Sequence, residues 1–199
     1  MRSFSFCRPL AGVLFFLALL LPSAHEAFGQ KRRKNVRKPV AVRTEKPPAS
    51  ISPNKCSIES QLTADEREAI LADQNKARAA LGLVPLKWDC GLASFAQTWA
   101  NAGRFRHRDA PDVGENLFVS SNASEPIASV VPDWLDEKPN YDTATGECKP
   151  DTVCTHYSQI MWRKTTLVGC GINRSIEGKW RVLVVCNYSP AGNTGGPAY

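Results

Sequence analysis

The stretch "TLVGCGINRS" (166–175), followed after a short turn by "KWRVLVVCNYS" (179–189), decides the fold class. Both runs alternate and are rich in β-branched residues. Gly178 and its neighbours turn the chain between them, which reads as an antiparallel hairpin. Upstream the periodicity changes. "CGLASFAQTWANAGRF" (90–105) places Leu92, Phe95 and Trp99 along one side of a helix. An earlier helix opens at Thr63, which with Glu66 forms a capping box, runs through Ile70, Leu71 and Ala77, and ends at Gly82 and Pro85. "VPLKWD" (84–89) reads as a turn and "ENLFVSS" (115–121) as a short strand. Residues 124–137 read as a third helix interrupted by Pro132, and 151–162 as a fourth. Helices first and a small antiparallel sheet late predict an α+β layered domain without internal repeats.

The flanks of this domain differ from it in chemistry. Arg2 and Arg8 precede an unbroken run of apolar residues and glycine, Leu10 to Leu21, and cleavage sites are offered by Ala27-Phe28-Gly29 and, alternatively, after Ala24. Residues 1–29 therefore read as a secretory signal. Twelve apolar residues are too few for a bilayer span, which needs about twenty. The net charge of +6 is concentrated in residues 30–54, where eight Lys/Arg stand against Glu45. Residues 55–199 hold fifteen basic and seventeen acidic residues. A Pro- and Lys-rich segment of this kind cannot bury a core and reads as a disordered linker. It is either a solvated spacer or a tether to an anionic cell wall or membrane surface. It has no aromatic residues to stack on bases, which argues against nucleic acid.

Cys7 leaves with the signal. The six remaining cysteines, an even number in an exported chain, predict three disulfides. Fifteen pairings are possible, and spacing narrows them. Cys148 and Cys154 close a short loop, and Cys170 and Cys186 lie on the two strands of the hairpin. That leaves Cys56 for Cys90. Zinc ligation by these cysteines is disfavoured because there is no pair of CxxC hooks.

The candidate chemistry rests on few residues. The chain has three histidines, His25, His107 and His156, and only the last two fall in the domain. With Glu115 in "VGENLF" and Glu137 in "PDWLDEKPNYD" they make a metal or acid–base constellation if they converge. Spacing alone favours reading His156 in "THYSQIMW" (155–162) as a packed helix residue beside Tyr157, Ile160 and Trp162 rather than as a ligand. There is no HExxH, and Ser158 stands in no GxSxG elbow. Asn122, Asn173 and Asn187 each open a glycosylation sequon.

"THYSQIMWRKT" (155–165) and "LVVCNYSPAGN" (183–193) resemble the two signatures of the CAP superfamily. That family comprises cysteine-rich secretory proteins, antigen 5 and plant pathogenesis-related proteins of type one. "NKARAALGLVPLKWD" (75–89), "FAQTWAN" (95–101), "GENLF" (114–118) and "WLDEKPNYD" (134–142) support it in the family's order, so the likeness spans about residues 63–197. It is strongest to the plant-type branch. Departures are Thr155 before the motif histidine, Thr194, a charged "RDAPDV" (108–113), and two plant-type cysteines that are missing, with Cys56 and Cys90 as a bridge placed elsewhere.

The resemblance implies a three-layer α-β-α sandwich around a small central antiparallel sheet. It also implies a cleft lined by His107, Glu115, Glu137 and His156. In relatives the two histidines can hold a divalent cation such as zinc, with the carboxylates orienting the rings or polarising water. The function implied is a secreted, extracellular binding module for a sterol, fatty acid or other small apolar ligand, in defence or virulence. The alternative is a metal-dependent hydrolase, protease or glycosidase, built on the same four residues.

Overall fold

A computed structural model describes residues 57–199, within the unit Glu45–Tyr199. The signal (1–29), the basic linker (30–54) and Cys56 lie outside the described residues.

Helix α1 spans Ala64–Ala79 and starts where the capping box predicts. The Thr63 hydroxyl accepts from the Glu66 N–H (3.2 Å), and the Glu66 carboxylate accepts from the Thr63 N–H (2.9 Å). Arg174, from the turn after the third strand, donates to the same carboxylate. Partial burial pulls the Glu66 pKa up, but the Thr63 N–H and the Arg174 guanidinium outweigh it and hold the group below its ordinary 4.5. A depressed carboxylate stabilises the fold above its unfolded pKa and loses that contribution as pH falls through its folded value. Glu66→Gln is therefore expected to melt below wild type at neutral pH. The gap should close as the pH drops below about 4, as followed by urea denaturation along a pH series. A gap independent of pH would remove the charge from the account.

The buried stripe of α1 is Ile70, Gln74 and Arg78, at intervals of four, whereas Leu71 and Ala77 are only half-buried. The reading of α1 as apolar-faced is corrected here, because two of its three buried side chains are polar.

Helix α2 spans Cys90–Asn101, with Asp89 Oδ1 accepting from the Leu92 N–H (2.7 Å). Its buried face is Leu92, Ala93, Ala96, Gln97 and Ala100 rather than a Leu–Phe–Trp row. Phe95 and Trp99 sit at its rim. Small residues are used because α2 lies very close to the sheet. In strand β3, Leu167–Asn173, the residues facing α2 are Gly169 and Gly171. A Cβ on either would run into the backbone of α2, at Ala93 and Gln97 respectively.

Strand β4, Val182–Ser189, pairs antiparallel with β3, as the hairpin reading predicts, and on its other side with β2, Gly114–Ser120. The two-residue strand β1, Lys87–Trp88, lies in the segment expected to turn and adds a parallel edge to β3. The order is β1-β3-β4-β2. Alternate residues of β4 divide between two cores. Leu183 and Val185 pack with Ala96 and Ala100 of α2, while Val182, Val184, Cys186 and Tyr188 join Ile70, Trp134, Tyr157 and Ile160 on the other face. The implied three-layer α-β-α sandwich is borne out.

The expected third helix begins as a 3-10 turn, Ile127–Ser129, and continues as α3, Val130–Leu135. Pro132 does not interrupt α3, because it falls in the first turn, where no intrahelical partner awaits its missing N–H. Helix α4 is Thr155–Ile160, shorter than 151–162 because Cys148–Cys154 fixes the preceding loop. Cys170–Cys186 joins residues directly opposed across β3 and β4. Cys90 is also disulfide-bonded, and its expected partner Cys56 falls outside the described residues.

Candidate functional site

The four candidate residues come together as two histidine–carboxylate pairs at the Gly114 end of β2. Glu137 follows α3 and caps α4: its Oε2 accepts from the N–H groups of His156 (2.9 Å) and Tyr157 (3.1 Å). Its other oxygen lies 2.5 Å from His156 Nδ1. A carboxylate suits this position because the first N–H groups of a helix have no partner within it. The His156 ring stacks on buried Trp134 (centroids 6.1 Å, 17°), and Asn116 of β2 donates to the His156 carbonyl (3.0 Å). Nearby Asp133 has its pKa pushed up, first by burial and then by the Glu137 charge, against the pull of His156.

The second pair is more open. His107 Nδ1 lies 3.0 Å from Glu115 Oε1, with the imidazole 64 % exposed and the carboxylate 7 %. Glu115 also accepts from the Arg108 N–H (3.0 Å) and from Asn187 Nδ2 (3.3 Å). Asn187 is 1 % exposed, and the same nitrogen donates to the Gly114 carbonyl. Arg108 turns back over Phe95, its guanidinium 3.7 Å from the ring centroid, and donates to the Phe95 carbonyl.

Neighbouring side chains leave a strand in opposite directions. Glu115 shares a face with Leu117 and Val119, which pack with α2. Asn116 shares the other with Phe118, which packs on the opposite core. The two pairs therefore approach one strand end from its two faces. Among the described residues no hydrogen bond links the pairs, and no group of three or more His, Cys, Asp or Glu is placed to hold a metal ion. Within each pair the chemistry suits a ligand. Each carboxylate meets the Nδ1 side of its ring, which leaves Nε2 as the ring nitrogen turned away from the carboxylate and available to a ligand.

Ser158 is not presented to His156. Its hydroxyl donates to Asn193 Oδ1 (2.6 Å), and Asn193, at φ +56°, donates in turn to the Thr155 carbonyl. Residues missed by sequence reasoning are Asn187, Asn116, Trp134 and Arg108. Asn187 carried one usable signal, a polar residue inside a run of Val, Cys and Tyr. It registered instead as a glycosylation sequon. Buried in β4 with its amide engaged, it leaves no room for a glycan in the folded sheet. Asn173 uses its amide on the Ala100 carbonyl, whereas Asn122 is exposed.

The family model described as cysteine-rich secretory protein family matches residues 71–188. Pathogenesis-related protein PRMS of Zea mays is 41 % identical over 133 residues, covering 63 % of this chain and 77 % of the maize protein. Pathogenesis-related protein PR-1 of Medicago truncatula is 39 % identical over 149 residues, covering 73 % and 83 %. These bear out the plant-type resemblance. Among solved structures, venom allergen-like protein 4 of Schistosoma mansoni superposes with a TM-score of 0.58 at 27 % identity, covering 69 % of this chain and 95 % of that one. With the signature motifs on α4 and β4 and the sandwich around them, the chain belongs to the cysteine-rich secretory protein family, the CAP family.

Proposed function

We propose that this protein is a secreted binding module that takes the acyl chain of a fatty acid. The observation that carries this reading is a groove between α1 and the α3–α4 layer. It is lined by Ala77, Ala80, Leu81, Leu135, Tyr157 and Met161, with Lys138 as its charged group, and encloses about 210 Å³. An apolar wall with one ammonium group matches a hydrocarbon tail ending in a carboxylate. Pockets for drug-sized molecules run to about 300–1,000 Å³. A flexible chain lying partly in solvent therefore suits this groove better than a rigid four-ring sterol. Export is supported by the apolar run Leu10–Leu21 and by the disulfides, which persist in oxidising compartments.

Titration with palmitate tests it. Ala80→Trp, which fills the exposed end of the groove, is expected to weaken binding at least about tenfold, and Lys138→Met a few-fold. Equal affinity in wild type and both variants would remove the groove from the account.

Binding is supported over hydrolysis by the state of the carboxylates. The oxygens of Glu115 and Glu137 are already engaged by histidine, backbone and Asn187, and Ser158 bonds away from the imidazole. A divalent cation would be held through Nε2 of His107 and His156, with Glu115 and Glu137 orienting the rings, and when bound it would supply Lewis acidity. Calorimetry with zinc should then show binding that is lost in His107→Ala and in His156→Ala. Identical titrations in all three proteins would exclude the two-histidine site. The basic segment 30–54 serves in this reading as a tether to an anionic wall or membrane.

A further inference from the structure

Residues 55–199 carry two more acids than bases, yet one surface of the domain is cationic. The segment after α2, "RFRHR" (104–108), has three arginines and no acid. Gly103, at φ +64°, turns the chain out of α2 beside Ile176 of the β3–β4 connection. Phe105 then meets Trp180 edge-on, with centroids 6.2 Å apart and planes at 63°, so that two loops distant in sequence become one surface. Arg106 lies over Trp99 at 5.5 Å, its carbonyl accepting from Trp99 Nε1 (2.8 Å), and Lys179 lies over Trp180 at 4.5 Å. Arg104, Phe105, Arg106 and Lys179 are all exposed, and Phe105 keeps 52 % of its surface in water. Glu177 is the acid of the second loop, and Asp109 and Asp112 follow the first.

We propose that this surface docks the folded domain onto anionic lipid bilayers. A phenyl ring has no hydrogen bond to offer, so its exposure among cations is explained by an apolar phase that begins where negative charge ends. A bilayer of anionic lipids has that layering. Phe105 enters the boundary between headgroups and acyl chains, while Arg104, Arg106 and Lys179 meet headgroup phosphates, their aliphatic stems extending along the boundary. An acidic polysaccharide would share the charge but would need an open aromatic face for sugar rings. The indole faces here are covered, Trp99 by Arg106 and Arg108 and Trp180 by Lys179. A single weak anchor binds membranes only marginally and two together bind stably. The eight Lys/Arg of residues 30–54 supply an independent second attraction on the same chain.

Co-sedimentation of the exported chain, residues 30–199, with vesicles tests this, using phosphatidylcholine alone or mixed with phosphatidylserine. A cation near an anionic surface contributes about fivefold in partition, so the triple variant R104Q/R106Q/K179Q should bind the mixed vesicles about a hundredfold less well. Phe105→Ala should lower binding several-fold while leaving its salt dependence unchanged, since the ring carries no charge. The comparison is repeated in chains whose eight Lys/Arg of residues 30–54 are glutamine, so that the basic segment cannot mask the difference. All of these side chains except Phe105 project charge into water, and an unchanged melting temperature would show that the variants are folded. Wild-type binding by the folded triple variant in both backgrounds overturns the proposal, as does equal wild-type binding to phosphatidylcholine alone. If the triple variant loses only its binding to soluble polygalacturonate, the surface serves a polysaccharide and the proposal fails.

Discussion

Replacing Arg78 by methionine is expected to destabilise the domain by about 3–5 kcal/mol, although no acid among the described residues pairs with this side chain. Arg78 is fully buried in the middle of the protein. Its guanidinium donates to four main-chain carbonyls: Val84 (2.8 Å), Ile160 (2.6 Å), Trp162 (3.0 Å) and Thr165 (2.9 Å). Three of these belong to the end of α4 and the loop after it. The carbonyls that terminate a helix have no intrahelical donor, and one rigid fork satisfies them together. Methionine matches the stem in volume but leaves buried acceptors unpaired, and each such group costs about 1–3 kcal/mol. Arg78→Lys keeps the charge and loses the fork, so it should fall between the two. Gln74, one turn earlier, is the opposite case. It is fully buried with neither amide atom hydrogen-bonded among the described residues, so Gln74→Met is expected to be neutral or stabilising. Urea denaturation decides both. A loss below about 1 kcal/mol for Arg78→Met would mean that the freed carbonyls find other donors.

Gly169→Val and Gly171→Val should each cost at least about 3 kcal/mol, at the upper end of overpacking. The reason lies in what the new atoms would meet. At Gly169 a Cβ runs into the Ala93 nitrogen and the Asp89 carbonyl, and at Gly171 into the Gln97 backbone. Side chains can turn aside, but a helix backbone cannot, so α2 would have to lift off the sheet. Lifting it would also break the buried bonds of Gln97, whose amide donates to the Ile172 carbonyl (2.8 Å) while its oxygen accepts from the Ile172 N–H (3.0 Å). At Gly178, which turns the hairpin at φ +93° with open space around it, alanine carries backbone strain alone and should cost less. Thermal unfolding of the three variants separates close approach from turn geometry. Equal losses at all three would refute the distinction.

Much of the fold was legible because its signals are local. Thr63 and Glu66 mark a helix start through one turn of backbone, and the β3–β4 pairing follows from alternation on either side of Gly178. The disulfides Cys148–Cys154 and Cys170–Cys186 follow from that spacing. The misread parts depend on what lies opposite. Phe95 and Trp99 look like the buried side of α2, yet the glycines of β3 bring the sheet so near that only small residues fit between. Lys87 and Trp88 look like a turn because a two-residue parallel strand has no pattern of its own.

The same division runs through the candidate site. The identities of His107, Glu115, Glu137 and His156 stood out in sequence by their motifs, and the polar hairpin neighbour Asn187 did not. By itself the sequence determined the class of fold, the family, and which four side chains to examine. The tertiary structure alone decided that each histidine is tied to its own carboxylate, that the pairs meet β2 from opposite faces, and that Arg78 holds the end of α4. Periodicity and capping are written in residues a few positions apart. Partners separated by 19 residues, as His156 and Glu137 are, or by 82, as Arg78 and Ile160 are, meet only once the sheet has fixed where each helix lies.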